Sequence, residues 1–275
     1  MDRHSATLTR PAAGEISSAR EYYRRILPFY EKEALARAHL AFWRAVARKA
    51  RPRRILEIGA GLGRITSTLA GVAPAIGLDV CLEMLSIASR RPGRARFVAA
   101  DARRAAFPPC FDLIVAPGDP ISHMTSGGDR KLALAAVAGQ LSRGGIFVLE
   151  GLYRRRREIV HPRRTIRYAT GSLAIDEAWF PVGDGDLWHA RYHYRDRRKD
   201  GSVRTLHAAF TARAWDPSTM RRLFADGGLE IAALWGDFDR RPFRRDSPQI
   251  VAVAHRRGAK ETLEARAALA RILRD

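Results

Sequence analysis

The sequence predicts an α/β fold with a mainly parallel sheet, broken late in the chain by an antiparallel β insertion. Three observations carry this. Between 53 and 150, short apolar runs alternate with helical patterns, which argues for strands in a parallel sheet with helices on both faces. Gly59, Gly61 and Gly63 stand at alternate positions between an apolar run and a helical pattern. Between 151 and 215 the pattern becomes a series of long strands separated by turn signals.

The 275 residues, 46% hydrophobic, suffice for one large domain or one domain with an insertion. No run of eighteen apolar residues suggests a spanning helix, and Met1-Asp2-Arg3-His4-Ser5 lacks a signal-peptide apolar core. Cys81 and Cys110 fit a reducing compartment and form no metal spacing. The expectation is a soluble, cytoplasmic protein. A formal charge of +20 suits either nucleic acid and other polyanions or a solvated arginine-rich surface. The arginines are scattered over the whole length, at 51–54, 154–157, 195–198 and 240–245 among other places, with no lysine-rich tail or recognised nucleic-acid module, which favours the second reading.

Taken in order, residues 1–16 are mixed, with Pro11 and Gly14, and read as poorly ordered at the start. A helical pattern starts at Ser17, with Tyr22, Tyr23, Ile26 and Leu27, and Pro28 should interrupt it. A longer helix is expected over 31–49. Strands are expected at 53–58, 75–79, 95–99, 111–116 and 146–150, with helices at 64–72, 82–90 and 128–142. Gly144-Gly145 reads as the cap of the last of these. Four strands follow at 164–170, 172–180, 187–197 and 203–215. Alternation puts Trp188, Ala190, Tyr192 and Tyr194 on one face of the third, opposite His189, Arg191, His193 and Arg195. A helix starts at Asp216-Pro217, strands are expected at 229–235 and 249–254, and 258–275 reads as an amphipathic helix. The divisions are 1–52 (helical lid), 53–150 (ligand-binding core), 151–215 (insertion), 216–257 (return to the core) and 258–275 (terminal helix).

The chemistry centres on Leu56-Glu57-Ile58-Gly59-Ala60-Gly61-Leu62-Gly63. Glycines let the chain turn and let a ligand approach without meeting a Cβ. The helix that follows offers free N–H groups to an anionic group. Asp79 ends the second strand twenty residues after Gly59, placed to accept hydrogen bonds from a ribose diol. A nicotinamide dinucleotide site would want glycine where Arg64 stands.

Four segments in this order resemble a class I S-adenosylmethionine-dependent methyltransferase: 56–63, Gly77-Leu78-Asp79-Val80-Cys81-Leu82-Glu83-Met84-Leu85, Phe97-Val98-Ala99-Ala100-Asp101-Ala102, and 111–115 followed by 141–149. The resemblance covers 53–150 and continues over 216–255. It implies a Rossmann-like seven-stranded sheet and S-adenosylmethionine as cofactor. It further implies that the glycine loop passes under the methionine part and that Asp79 takes the ribose hydroxyls. Met84 would pack on adenine, or simply in the core. Asp101 would accept the adenine amino group, or cap a turn, with the Ala102 amide on a ring nitrogen. The implied cofactor set is Glu57, Gly59, Ala60, Gly61, Gly63, Asp79, Val80, Met84, Asp101, Ala102 and Ala116.

The acceptor is read from 117–124. Ala116-Pro117-Gly118-Asp119-Pro120 lacks the Asn/Asp-Pro-Pro-aromatic sequence of enzymes acting on nucleobase amines. Ile121-Ser122-His123-Met124 resembles the loop of small-molecule N-methyltransferases, notably those acting on amino sugars. There His123 would handle a proton near the acceptor, or else cap the following helix. Asp119 is a second polar candidate, or a turn residue. Tyr22, Tyr23 and Tyr30 read as a lid or as helix packing. The insertion would roof the acceptor site or form a homodimer face, with Tyr153, Arg155, Trp188, Tyr192 and His193 as wall residues. Its basic face meets either a phosphate-bearing substrate or solvent. The expected activity is methyl transfer to a small-molecule amine or hydroxyl, of the kind used in secondary metabolism. The alternative is a nucleic-acid methyltransferase or RNA-binding protein.

Overall fold

The computed structural model describes residues 8–36, 39–154, 159–258 and 263–274. In chain order these form β1 (Ile16–Ser17), α1 (Ala19–Ala36), α2 (Leu40–Ala50), β2 (Ile55–Ile58), α3 (Arg64–Leu69), β3 (Ala75–Asp79), α4 (Leu82–Ala88) and β4 (Arg96–Ala99). Next come β5 (Phe111–Ala116), α5 (Gly127–Gln140), β6 (Leu141–Gly151), β7 (Ile159–Tyr168), β8 (Gly171–Val182), β9 (Leu187–Arg198) and β10 (Val203–Arg213). The chain closes with α6 (Pro217–Asp226), β11 (Leu229–Trp235), β12 (Ile250–Arg256) and α7 (Leu263–Leu273). They divide into two compact units, 39–154 with 214–275, and 1–38 with 155–213.

The first unit holds a seven-stranded sheet in the order β11-β12-β6-β5-β2-β3-β4, with β12 antiparallel to both its neighbours. Both faces are buried, and successive residues go to opposite layers. Leu113, Val115, Ile146, Val148, Val251 and Val253 pack with Trp43 and Val46 of α2 and with Leu269 and Ile272 of α7. Ile114, Ala116, Phe147, Leu149, Ala252 and Ala254 pack with Leu134 and Val137 of α5 and Leu223 and Phe224 of α6. Burial on both faces explains why these strands read as continuous apolar runs. Asp216 starts α6 by accepting the Ser218 and Thr219 amides.

The second unit is a sheet in the order β1-β10-β9-β8-β7, antiparallel except where β1 joins β10. The face with Trp188, Tyr192 and Tyr194 is covered by α1: Tyr22 meets Phe210 at 4.5 Å between ring centroids, and Phe29 stacks on Tyr194 at 5.4 Å. On the other face Arg191 donates to the Thr9 carbonyl and pairs with Glu15, and Leu8 packs on Ala178 and Phe180.

Several expectations need correction. Pro28 lies inside α1 rather than interrupting it. The lost hydrogen bond is offset by burying Tyr22, Ile26 and Phe29 against the sheet. The helix expected over 31–49 is the end of α1 plus α2. Leu8, Thr9, Glu15, Ile16 and Ser17 are held on the sheet, and the start expected to be poorly ordered, 1–7, lies outside the described residues. Gly144 and Gly145 fall within β6 and cap nothing, since α5 ends at Gln140. The pairing of β5 with β6 slips there, and a Cβ on Gly145 would stand 2.6 Å from the Phe111 carbonyl oxygen. At Arg191 and His193 the basic face is not solvated: His193 is buried, 3.5 Å from Asp176, which Arg163 also grips.

Candidate active site

The donor loop is built at the carboxyl ends of β2, β3 and β4. Gly59, Gly61 and Gly63 all take left-handed conformations, which suits glycine. Their surroundings differ. A Cβ on Gly59 would stand 2.7 Å from Pro120, and one on Gly63 would stand 2.5 Å from Phe97. On Gly61 it would meet only the Met84 sulfur, at 3.7 Å. Gly59 and Gly63 are therefore glycine for packing, and Gly61 leaves a cradle open to a ligand.

Asp79 sets the loop's height. One carboxylate oxygen accepts the Gly61 amide at 2.7 Å and the other accepts the Cys81 amide at 2.8 Å. Burial raises its pKa while these amides pull it down. Each oxygen keeps acceptor capacity beyond one bond. Beside it, Val80 is 43% exposed and Leu82 59% exposed, apolar surface at the rim of the site. Glu57 is fully enclosed, and the Thr66 hydroxyl donates to it. Burial pushes its carboxyl up to about 8, so it holds a proton at neutral pH.

Asp101 is gripped by Arg103, whose Nη2 lies 2.5 Å and Nε 3.0 Å from its oxygens, while the Arg103 amide also donates to it. Arg103 continues to Asp129 at 2.8 Å. The arginine holds the Asp101 carboxyl below its usual range. Ala102 is buried beside it.

The loop that the sequence assigns to the acceptor follows β5. A 3-10 turn, Pro120–His123, carries His123, whose Nδ1 is buried. Burial pushes the imidazole down to about 4, so it is neutral at physiological pH. Pro120 rests on Gly59, so the two loops touch.

These donor-loop groups fit S-adenosylmethionine: an open glycine cradle, a strand-end carboxylate with lone pairs to offer a diol, and exposed apolar side chains for an adenine face. Bound there, the cofactor supplies an electrophilic methyl on a sulfonium. Residues 55–145 match the family described as a methyltransferase domain. The chain carries a class I S-adenosylmethionine-dependent methyltransferase domain. No curated protein sequence matches it. Among solved structures, an S-adenosylmethionine-dependent methyltransferase from Clostridium acetobutylicum aligns with TM-score 0.70 at 17% identity, over 86% of this chain and 99% of that one. CalS10, an amino pentose methyltransferase from Micromonospora echinaspora, aligns with TM-score 0.68 at 20% identity, over 86% and 98%. The sugar N-methyltransferase KedS8 from Streptoalloteichus aligns with TM-score 0.69 at 19% identity, over 92% and 99%. At such identities the likeness is one of fold.

The methyltransferase domain thus brings together Glu57, Gly59, Ala60, Gly61, Gly63, Asp79, Val80, Met84, Asp101, Ala102, Ala116, Asp119 and His123 along one end of its sheet. Met84 lies buried beneath the glycine loop. Tyr153 packs edge-on to Phe243 and donates to the Arg245 carbonyl at 3.1 Å. Tyr22, Tyr23, Trp188, Tyr192 and His193 belong to the other unit. Tyr22 and Trp188 are closed into its core, and Tyr22 shares a 3.2 Å hydrogen bond with the Tyr194 hydroxyl. Arg155 lies outside the described residues. Sequence reasoning did not single out Leu82, Arg103, Arg130 or Glu150, and took Trp215 only for a strand aromatic. Arg103 two residues after Asp101 was a readable signal. Arg130 gave none, since an arginine on a helix is ordinarily solvated.

Proposed function

We propose that this methyltransferase domain acts on a small-molecule amine. The carrying observation is a neutral imidazole, His123, on a loop whose proline rests on the donor loop. Methyl transfer to an amine needs a free lone pair aimed at the methyl, with water held off. A neutral imidazole accepts a hydrogen bond from the amine N–H and orients that lone pair. The ammonium formed then loses its proton to solvent. A base this weak does little to ionise an alcohol, which favours nitrogen over oxygen. The names of two structural neighbours, an amino pentose methyltransferase and a sugar N-methyltransferase, support an amino-sugar acceptor.

The test is transfer of label from methyl-tritiated S-adenosylmethionine to a panel of nucleotide-linked amino sugars, simple amines, phenols and bulk RNA. Label in an amine pool is expected. Label in RNA alone would move the reading to a nucleic-acid acceptor, which the +20 charge would then serve. His123→Ala should lower turnover about 10²-fold and leave S-adenosylhomocysteine affinity near wild type. Unchanged turnover at saturating acceptor would remove His123 from the mechanism.

A further inference from the structure

Asp119 joins the loop after β5 to two segments that flank it in space. It is 3% exposed and takes a left-handed conformation, φ 50°. One carboxylate oxygen accepts the Ser122 amide at 3.0 Å, inside the turn that carries His123. The other accepts the Leu152 amide at 2.6 Å and the Trp215 indole N–H at 2.9 Å. The Ser122 hydroxyl donates back to the Asp119 carbonyl at 2.8 Å. The Trp215 amide donates to the Leu152 carbonyl at 2.7 Å, so these two segments are also tied to each other. They lie just before the chain leaves this unit and just after it returns.

The surroundings make the node stiff. The Arg130 guanidinium of α5 lies 3.3 Å over the Trp215 ring and stabilises the Asp119 charge through space. On the preceding residue, the Gly118 amide donates to Glu150 of β6 at 2.8 Å. On the following residue, Pro120 stands on Gly59. Burial pushes the Asp119 carboxyl up to about 6, the main groups facing it being Arg130 and three N–H donors. A carboxylate buried with three donors and a nearby cation orders its surroundings rather than waiting for a ligand.

We propose that Asp119 is a positioning residue for methyl transfer, fixing the turn that carries His123 against the donor loop, and that Trp215 acts through it. This replaces a direct contact between Asp119 and substrate. It rests on the reading of His123 as the acceptor-facing group, but its test does not need the acceptor. A displacement of about 1 Å between reacting groups is enough to cost about 10²-fold in rate.

The test follows the His123 imidazole C–H by NMR across a pH titration, identified by the resonance lost in His123→Gln. S-adenosylhomocysteine is the binding probe. In Asp119→Asn the turn loosens and His123 gains solvent, so its midpoint should rise by about one pH unit or more. Loss of the negative charge by itself would push the midpoint the other way. Trp215→Phe keeps a ring under Arg130 but removes one donor, and should give a smaller rise. Both variants should bind the probe within about threefold of wild type. Asp216→Ala, which uncaps α6 in the same segment, is a destabilised control expected to leave His123 unchanged. On any amine that the wild type methylates, Asp119→Asn should lower kcat about 10–100-fold with the donor KM unchanged. If Asp119→Asn does not fold, Trp215→Phe decides. A wild-type His123 midpoint in the folded variants, or an equal rise in Asp216→Ala, overturns the proposal. Failure of the amine panel with the predicted imidazole shifts would overturn only the acceptor reading.

Discussion

The two units use their buried polar groups differently. In the five-stranded unit such groups are paired with one another. Glu33, 1% exposed, accepts Arg164 at 2.9 Å and the Tyr194 hydroxyl at 3.3 Å, while Asp176 is gripped by Arg163 and Asp196 by Lys32 and Tyr168. In the seven-stranded unit two carboxylates at strand ends instead hold backbone amides: Asp79 holds those of Gly61 and Cys81, and Glu150 holds that of Gly118. The first pattern fixes a fold. The second fixes the loops at the ends of the strands. A polar residue's chemistry is therefore judged by how much of its hydrogen-bonding capacity its own neighbours consume.

The sharpest way to break this contrast is Asp79→Ala. It removes the carboxylate proposed to accept from the ribose diol and releases the Gly61 and Cys81 amides together. S-adenosylhomocysteine affinity measured by calorimetry should fall more than about 100-fold, since hydrogen bonds to charged groups contribute about 1.5–3 kcal/mol each. Retained affinity would detach the carboxylate from the cofactor. Gly61→Ala comes next. Its Cβ enters the open cradle and its φ of 50° disfavours alanine, by about 1 kcal/mol. Affinity should drop about tenfold while the fold stands. Gly59→Ala should do the reverse, lowering the melting temperature first, because its Cβ runs into Pro120.

The geometry of the glycine loop was legible because its parts are local. The glycines, Asp79 and Asp101 follow strand ends at fixed short spacings, so the local backbone sets the shape of these loops. The seven-stranded order was legible through the resemblance. The hydrogen bonds that fix the loop after β5 were not, because their determinants meet only in three dimensions. Asp119 and Trp215 are far apart in sequence, and nothing about an Asp-Pro pair announces that an indole will donate to it. Tyr22 looked like a lid residue because an aromatic at a helix start gives no sign of which sheet it will bury against. Pro28 misled for a related reason: propensity argued a break, and tertiary burial outweighed it.

In the five-stranded unit, Glu33→Gln tests the claim that its polar groups serve stability alone. Gln at 33 keeps an acceptor for one partner and presents a donor to the other. Denaturant melts should show a loss of about 1–3 kcal/mol, with S-adenosylhomocysteine affinity of the folded protein unchanged. A variant of native stability that binds the probe poorly would move Glu33 from the fold to the site.

A distinctive pH signature belongs to Glu57. Its carboxyl titrates at about 8 in the folded protein because it is buried, and near 4.5 when the chain unfolds. The folded state therefore binds the extra proton. The stabilisation is complete below pH 4.5 and is lost as pH rises towards 8, with the slope set by that one proton. Glu57→Gln, a neutral shape-mimic that still accepts from Thr66, should remove this slope. Stability of the variant relative to wild type should then climb between pH 5 and 8 by an amount on the order of 1–3 kcal/mol. His123 gives the opposite trend in wild type and variant alike, since its depressed pKa makes stability rise from about pH 4 to 6.5. The difference between the two chains isolates Glu57 from it. A parallel pair of stability–pH curves would mean that Glu57 is ionised in the fold, in which case the carboxylate beneath the glycine loop is a permanent charge facing Asp79 rather than a neutral prop.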